Sequence, residues 1–164
     1  MVILSLGIDL GTHGGISVVD QDHNLIDVND MPCLNDGRKG RPAVNAALLA
    51  ELVYKSGATR AFVEYVGARP GEGPSGAFAF GRSKGVVEGV LGAAGIRCNF
   101  LTPPVWKRVI GIKPGKEGAK DAARAEAIRR WPAQAGLFAR VKDDGRAESA
   151  LIAVAGLMMG GGNV

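Results

Sequence analysis

A carboxylate closes the first apolar run of this chain. Val2-Ile3-Leu4-Ser5-Leu6-Gly7-Ile8 reads as a strand, Asp9 ends it, and Leu10-Gly11 follows at once. An aspartate there sits at the edge of a core, where an uncompensated charge is costly. The conflict recurs in Ala61-Phe62-Val63-Glu64-Tyr65-Val66. It recurs again where Asp144 and Glu148 stand one helical turn apart at the start of a late apolar helix. The fold has to bring something positive to all four positions.

The order of elements narrows that fold. Strands are expected at 2–9, 15–20 and 24–31, joined by a Gly-rich turn at 11–15 and a polar turn at 20–24, which makes an antiparallel meander. After a loop at 35–42, Val44, Ala47, Leu48, Leu52 and Val53 recur at helical spacing. A strand at 60–66 follows, then a breaker-rich loop at 67–76. Next come a helix at 76–94 with Phe80, Val87, Val90 and Leu91 inward, and a strand at 96–101. A short helix starts at Pro103, another spans about 117 to 131, and a last one carries Ala147, Ala150, Leu151, Val154, Leu157 and Met158 on one face. Three meander strands followed by alternating helices and strands indicate an α/β fold. Its sheet is mixed and five-stranded, the meander plus two parallel strands, with helices on both sides. Gly81, Gly85 and Gly89 form one stripe on the 76–94 helix. The stripe reads as packing within the monomer or as close approach of a dimer partner.

The chain has 164 residues and is expected to form a single domain, 1–164. At 46% hydrophobic content it can bury a core, yet no apolar run approaches the roughly 18–20 residues of a membrane span. No signal-like N-terminal stretch is present, which points to the cytoplasm. Cys33 and Cys98 are isolated and read as two buried thiols. The net charge of +4 is unevenly placed: Lys107, Arg108, Lys113, Lys116, Lys120, Arg124, Arg129 and Arg130 face only Glu117, Asp121 and Glu126. Such a run can neutralise phosphates, or form a solvated helix face with pairs such as Glu126–Arg130.

Two divalent cations would compensate four carboxylates, and magnesium takes hard oxygen ligands. In phosphodiester hydrolysis a metal pair activates water and stabilises the leaving oxygen. Asp144 and Glu148, at i,i+4, share a helix face. Blander readings stand beside this one. Asp143 or Asp144 could cap the last helix, Glu148 could pair with an arginine, and Glu64 could be an edge-strand carboxylate. His13 reads as a loop histidine and Trp106 as core packing.

Taken in order, Gly7-Ile8-Asp9-Leu10-Gly11, Val63-Glu64-Tyr65-Val66, Thr102-Pro103-Pro104-Val105-Trp106-Lys107 and Asp144-Gly145-Arg146-Ala147-Glu148-Ser149-Ala150-Leu151 resemble the RuvC-type Holliday junction resolvases, particularly their short phage-like branch. The resemblance spans nearly the whole chain. It implies a ribonuclease-H-like fold, a homodimer, and magnesium-dependent nicking of two opposed strands of a four-way DNA junction, with Mn2+ able to substitute, in a bacterial or phage-infected cell. Asp9, Glu64, Asp144 and Glu148 match the family's metal ligands by position. The resemblance implies DNA contacts at Phe78, Arg82, Lys84, Lys107, Lys116 and Lys120. Phe78 or Phe80 would be an aromatic wedge, and Lys107, Lys116 or Lys120 the lysine at the scissile phosphate.

The chain departs from the family at its last motif. Bacterial resolvases usually space the final two ligands by three residues and end on Asp; here the gap is four and the residue is Glu, so Asp143 is an alternative to Asp144. Rival functions are a less selective fork or flap nuclease, a non-catalytic DNA-binding dimer, and an actin-like nucleotide-binding protein. The last is raised by Gly7-Ile8-Asp9-Leu10-Gly11-Thr12, but it needs a second domain and a second phosphate motif.

Overall fold

The computed structural model describes residues 1–36, 38–113 and 119–160; the side chains of Arg38, Ala119 and Lys120 fall outside that description. The chain runs β1 (Leu4–Asp9), β2 (Gly15–Asp20), β3 (Leu25–Asp30), β4 (Cys33–Leu34), β5 (Ala43–Val44), α1 (Ala46–Ser56), β6 (Arg60–Glu64), α2 (Pro74–Ala93), β7 (Arg97–Leu101), α3 (Pro103–Ile110), α4 (Ala119–Arg130) and α5 (Asp144–Met158). Two 3-10 segments, Pro132–Phe138 and Val141–Asp143, join α4 to α5. The main sheet has the order β3-β2-β1-β6-β7. β1 is antiparallel to β2 and β2 to β3, while β6 is parallel to both β1 and β7. This is the expected meander plus two parallel strands, in a ribonuclease-H-like arrangement.

Strand alternation sorts the core into two layers. Leu6 and Ile8 of β1, with Ala61 and Val63 of β6, pack with Leu49 and Val53 of α1 and Val87 and Leu91 of α2. On the other face, Phe62 and Leu101 pack with Trp106 of α3, Ala123 and Ala127 of α4, and the body of α5. The period of two places Gly7, Asp9 and Glu64 on this second face.

The N-terminal half of α5 lies backbone to backbone on β1 and β2, and its C-terminal half lies on the Phe62 ring. A Cβ on Gly7 would fall inside the Ser149 carbonyl oxygen, and one on Gly156 would overlap the Phe62 ring. At Gly15 it would come 2.6 Å from the Gly145 carbonyl oxygen. The Ser17 and Ser149 hydroxyls hydrogen-bond across the same contact. The helix is therefore buried nearly all round, from Gly145 to Gly156 apart from Arg146 and Glu148. The expected single apolar face is too narrow a description, and Met158, assigned to it, is exposed.

Three other expectations shift. Val44 is not helical: it pairs with Cys33 in the small β4–β5 ribbon, which the sequence pattern did not signal. Asn45 caps α1 by accepting from the backbone N–H groups of Ala47 and Leu48 at 3.0 and 3.1 Å. That start turns Leu49 and Val53 inward and leaves Leu48 exposed. Neither cysteine is fully buried, though burial still raises the Cys98 thiol to about 11. Among the described residues no helix is long and apolar enough to cross a membrane.

The α2 glycines are unlike those under α5. Among the described residues a Cβ at Gly81, Gly85 or Gly89 meets nothing within 4 Å, so their packing does not explain the stripe. The contrast gives a prediction for urea unfolding. Gly7→Ala should destabilise the fold by about 1–3 kcal/mol or more, the cost of overpacking a tight interface. Gly85→Ala should be neutral or stabilise the isolated chain by up to about 1 kcal/mol through helix propensity.

Candidate metal centre

β1 and β6 are parallel neighbours, and Ile8 is in register with Val63. Asp9 and Glu64 follow those residues, so both carboxylates emerge side by side at the same end of the sheet. α5 crosses over this end, and Glu148 in its second turn completes the group. Ligand oxygens of Asp9, Glu64 and Glu148 all lie within 4.8 Å of one another. Asp144, at the first position of α5, is outside this group of three, yet its charge still acts on Asp9.

The electrostatics are those of an under-compensated cluster. The Asp9 carboxyl is pushed well above its ordinary value, first by burial and then by the charges of Glu64 and Glu148. A hydrogen bond with Glu64 and the charge of Asp144 push the same way. Close carboxylates cannot all ionise without a cation among them. Three hard oxygen donors at this spacing fit a divalent ion such as Mg2+ or Mn2+.

Asp143 has the opposite environment. It is buried, and it accepts from the Arg140 guanidinium at 2.8 Å and from the Arg140 backbone N–H at 2.9 Å. Arg140 holds its carboxyl below the ordinary value. Arg146 extends the network, 3.9 Å from Asp143 and bonded through Nε and Nη2 to both Asp30 oxygens, at 2.7 and 2.9 Å. Asp143 is thus engaged in tying the start of α5 to β3. Of the two aspartates, Asp144 is the one whose charge reaches the cluster.

Sequence reasoning placed Trp106 in the core. It is fully buried there, but its Nε1–H also donates to Glu64 Oε1 at 2.9 Å. No periodicity could show this contact, which depends on α3 turning back over the end of β6. The only hint was the motif position of Trp106, four residues after Thr102 at the end of β7.

The residues proposed for DNA contact are scattered around this end and the α2 side. Phe78 is 77% exposed, whereas Phe80 packs partly into the core. Phe78 lies in the first turns of α2, which begins at Pro74, two residues before the expected start. Arg82 lies 3.7 Å from Asp36. Lys84 packs its ammonium 4.3 Å from the Tyr65 ring centroid and 5.3 Å from that of Phe100. Lys107 stands 5.3 Å from the Trp106 ring centroid. Lys116 lies outside the described residues, as does the Lys120 side chain. On α4, Arg124 is engaged by Asp121, while Arg129 and Arg130 are engaged by Glu126. That part of the basic run forms ion pairs along its own helix.

No protein-family model matches the chain, and no curated protein matches its sequence. Solved structures do match in shape. Thermus thermophilus RuvC superimposes with a TM-score of 0.62 at 16% identity, over 96% of this chain and 97% of that one. T. thermophilus RuvC in complex with Holliday junction substrate superimposes with a TM-score of 0.60 at 14% identity, again over 96% and 97%. At these identities the likeness establishes the fold, that of the RuvC structures along nearly the whole chain.

The raised Asp9 carboxyl sets a pH dependence. In EDTA, the unfolded chain releases this proton as pH climbs past the ordinary value of 3.8, while the folded chain keeps it. The contribution of Asp9 to stability is therefore fully present below that pH and is lost as pH rises through the folded value. Asp143 and Asp30 have lowered carboxyls and act in the opposite direction, losing stability as pH falls. Melting curves of Asp9→Asn should isolate the first effect. The variant should gain on the parent as pH rises from 4 to 8 in EDTA, and divalent ions should stabilise the parent more than the variant.

Proposed function

We propose that the protein is a metal-dependent endonuclease that resolves four-way DNA junctions by paired nicks. The observation that carries this reading is the cluster of Asp9, Glu64 and Glu148 at one end of a RuvC-like sheet, with Asp144 beside it. A divalent metal pair held there would supply activation of water and stabilisation of the leaving oxygen. The chain's own part is to hold the carboxylates in place before any ion arrives. β1 and β6 fix two of them by register, and α5 fixes the others by backbone contact with the sheet. Phosphate-neutralising cations would come from Lys107, Lys116 and Lys120. Bacterial or phage-infected cytoplasm is the setting this reading implies.

Paired nicks in a symmetric junction require two sites at fixed separation, which a twofold dimer supplies. The face of the sheet opposite the carboxylates supports this. A shallow apolar groove of about 590 Å3 runs between α1 and α2, lined by Ala47, Ala50, Tyr54, Val86, Gly89 and Val90 among others. Tyr54 is 88% exposed beside it. Together with the open glycine stripe, this is a surface on which a second copy could settle closely. Phe78, near the start of α2, is the better placed of the two phenylalanines to insert into an opened junction. Base stacking on one aromatic is worth about 1–3 kcal/mol.

Purified protein with Mg2+ or Mn2+ should nick a four-way junction without added nucleotide, and EDTA should stop it. Asp9→Asn, Glu64→Gln and Glu148→Gln should each abolish cleavage while junction binding persists. Activity that survives EDTA would rule out the metal mechanism. Equal cutting of junction, fork, flap and linear duplex would replace the resolvase reading with that of a less selective nuclease.

Assembly gives a separate expectation. Sedimentation at micromolar concentration should show a dimer, and Tyr54→Glu with Gly89→Glu should reduce it to a folded monomer that no longer makes paired nicks. Phe78→Ala should stay folded and dimeric but cut junctions poorly. A parent protein that is strictly monomeric yet makes paired nicks would overturn the arrangement.

A further inference from the structure

Glu64 is the most buried of the three clustered carboxylates by residue exposure, at 8%, while Asp9 and Glu148 are half-buried. A buried carboxylate needs hydrogen-bond partners for its lone pairs and a fixed orientation. Its neighbour Trp106 is fully buried against α5 and the sheet, and the indole Nε1–H reaches Glu64 Oε1 at 2.9 Å. An indole N–H only donates. It neither competes for a cation nor takes a proton, and its donation holds the Glu64 carboxylate as an oriented acceptor. Complete burial in the core between α5 and the sheet holds the ring in place.

We propose that Trp106 is a positioning residue for the metal centre: its indole N–H fixes the rotation of the Glu64 carboxylate so that Asp9, Glu64 and Glu148 are preset to receive a divalent cation. The proposal rests on the metal-dependent reading given above. Hydrogen-bond partners that orient a ligating group typically change metal affinity or activity by about 10–100-fold when removed. A tryptophan that only filled space would affect melting and leave metal affinity alone.

Calorimetric titration with Mn2+ decides between these. Trp106→Phe keeps an aromatic ring and removes the donor. It should still melt cooperatively, bind Mn2+ at least about tenfold more weakly than the parent, and need correspondingly more metal for half-maximal cleavage while approaching the parental rate at saturating metal. Equal Mn2+ affinity in a folded Trp106→Phe overturns the proposal but leaves the nuclease reading intact. Failure of the parent itself to bind Mn2+ sinks both. A second measurement on the parent covers the case in which Trp106→Phe does not fold. The chain has two tryptophans, and Trp131→Phe identifies the indole signals in a 1H–15N spectrum. The Trp106 indole resonance should move on addition of Mg2+ and again in Glu64→Gln. An indole resonance that ignores both changes refutes the positioning role.

Discussion

The reach of Glu148 to the strand carboxylates depends on how closely α5 lies on the sheet. Gly7 and Gly15 present bare backbone on β1 and β2, and Gly145 and Gly156 do the same on the helix. Side chains at these points would hold the two elements apart. Their absence lets the Ser149 carbonyl rest on Gly7, two residues before Asp9, and this places Glu148 in reach of the strand carboxylates. The ion pairs from Arg140 through Asp143 and Arg146 to Asp30 then fix the start of the helix in the axial direction. The site is thus a consequence of backbone contact. A helix packed through an ordinary side-chain layer would carry the same carboxylates too far from the sheet to share an ion.

The arrangement places local electrostatics against global stability. Burial and three neighbouring carboxylates all disfavour the ionised form of Asp9, and the described contacts give it no cation in return. Natural sequences concentrate such conflicts where function requires them. Asp143 and Asp144 make the point within two residues. One is neutralised by Arg140 and serves the fold; the other adds its charge to the cluster. Identical side chains on adjacent positions acquire opposite roles because the last 3-10 turn ends between them.

Asp9 and Glu64 were legible in the sequence because a carboxylate at the end of an apolar strand violates the pattern around it. Glu148 was legible because it interrupts an apolar helix one turn after Asp144. The sheet was legible too, since the alternation of elements permits few topologies. What escaped depends on tertiary contact. The role of Trp106 needs α3 folded back over β6. The choice between Leu48 and Leu49 as the inward residue turns on the Asn45 cap, which shifts the helix start and so the face. The β4–β5 ribbon is too short to leave a period. The all-round burial of α5 reflects a helix covered by both the sheet and other helices, while a single-face reading assumes one neighbour.

The two faces of the sheet divide the protein's work, and glycine marks both. Under α5, the glycines are filled positions whose missing Cβ atoms are occupied by another element of the same chain. On α2, Gly81, Gly85 and Gly89 leave open space. Each glycine in a helix interior costs about 1 kcal/mol relative to alanine, and among the described residues no close packing offsets that cost. The apolar groove between α1 and α2 lies against the same helix and exposes Tyr54 rather than burying it. A helix that gives up propensity to keep one stripe flat, next to apolar surface left in water, is what the proposed dimer contact would require. The carboxylates lie on the opposite face at the end of the same strands. A partner docked on α2, as proposed above, would leave the carboxylate cluster uncovered, and the shared sheet would fix the spacing between two such clusters.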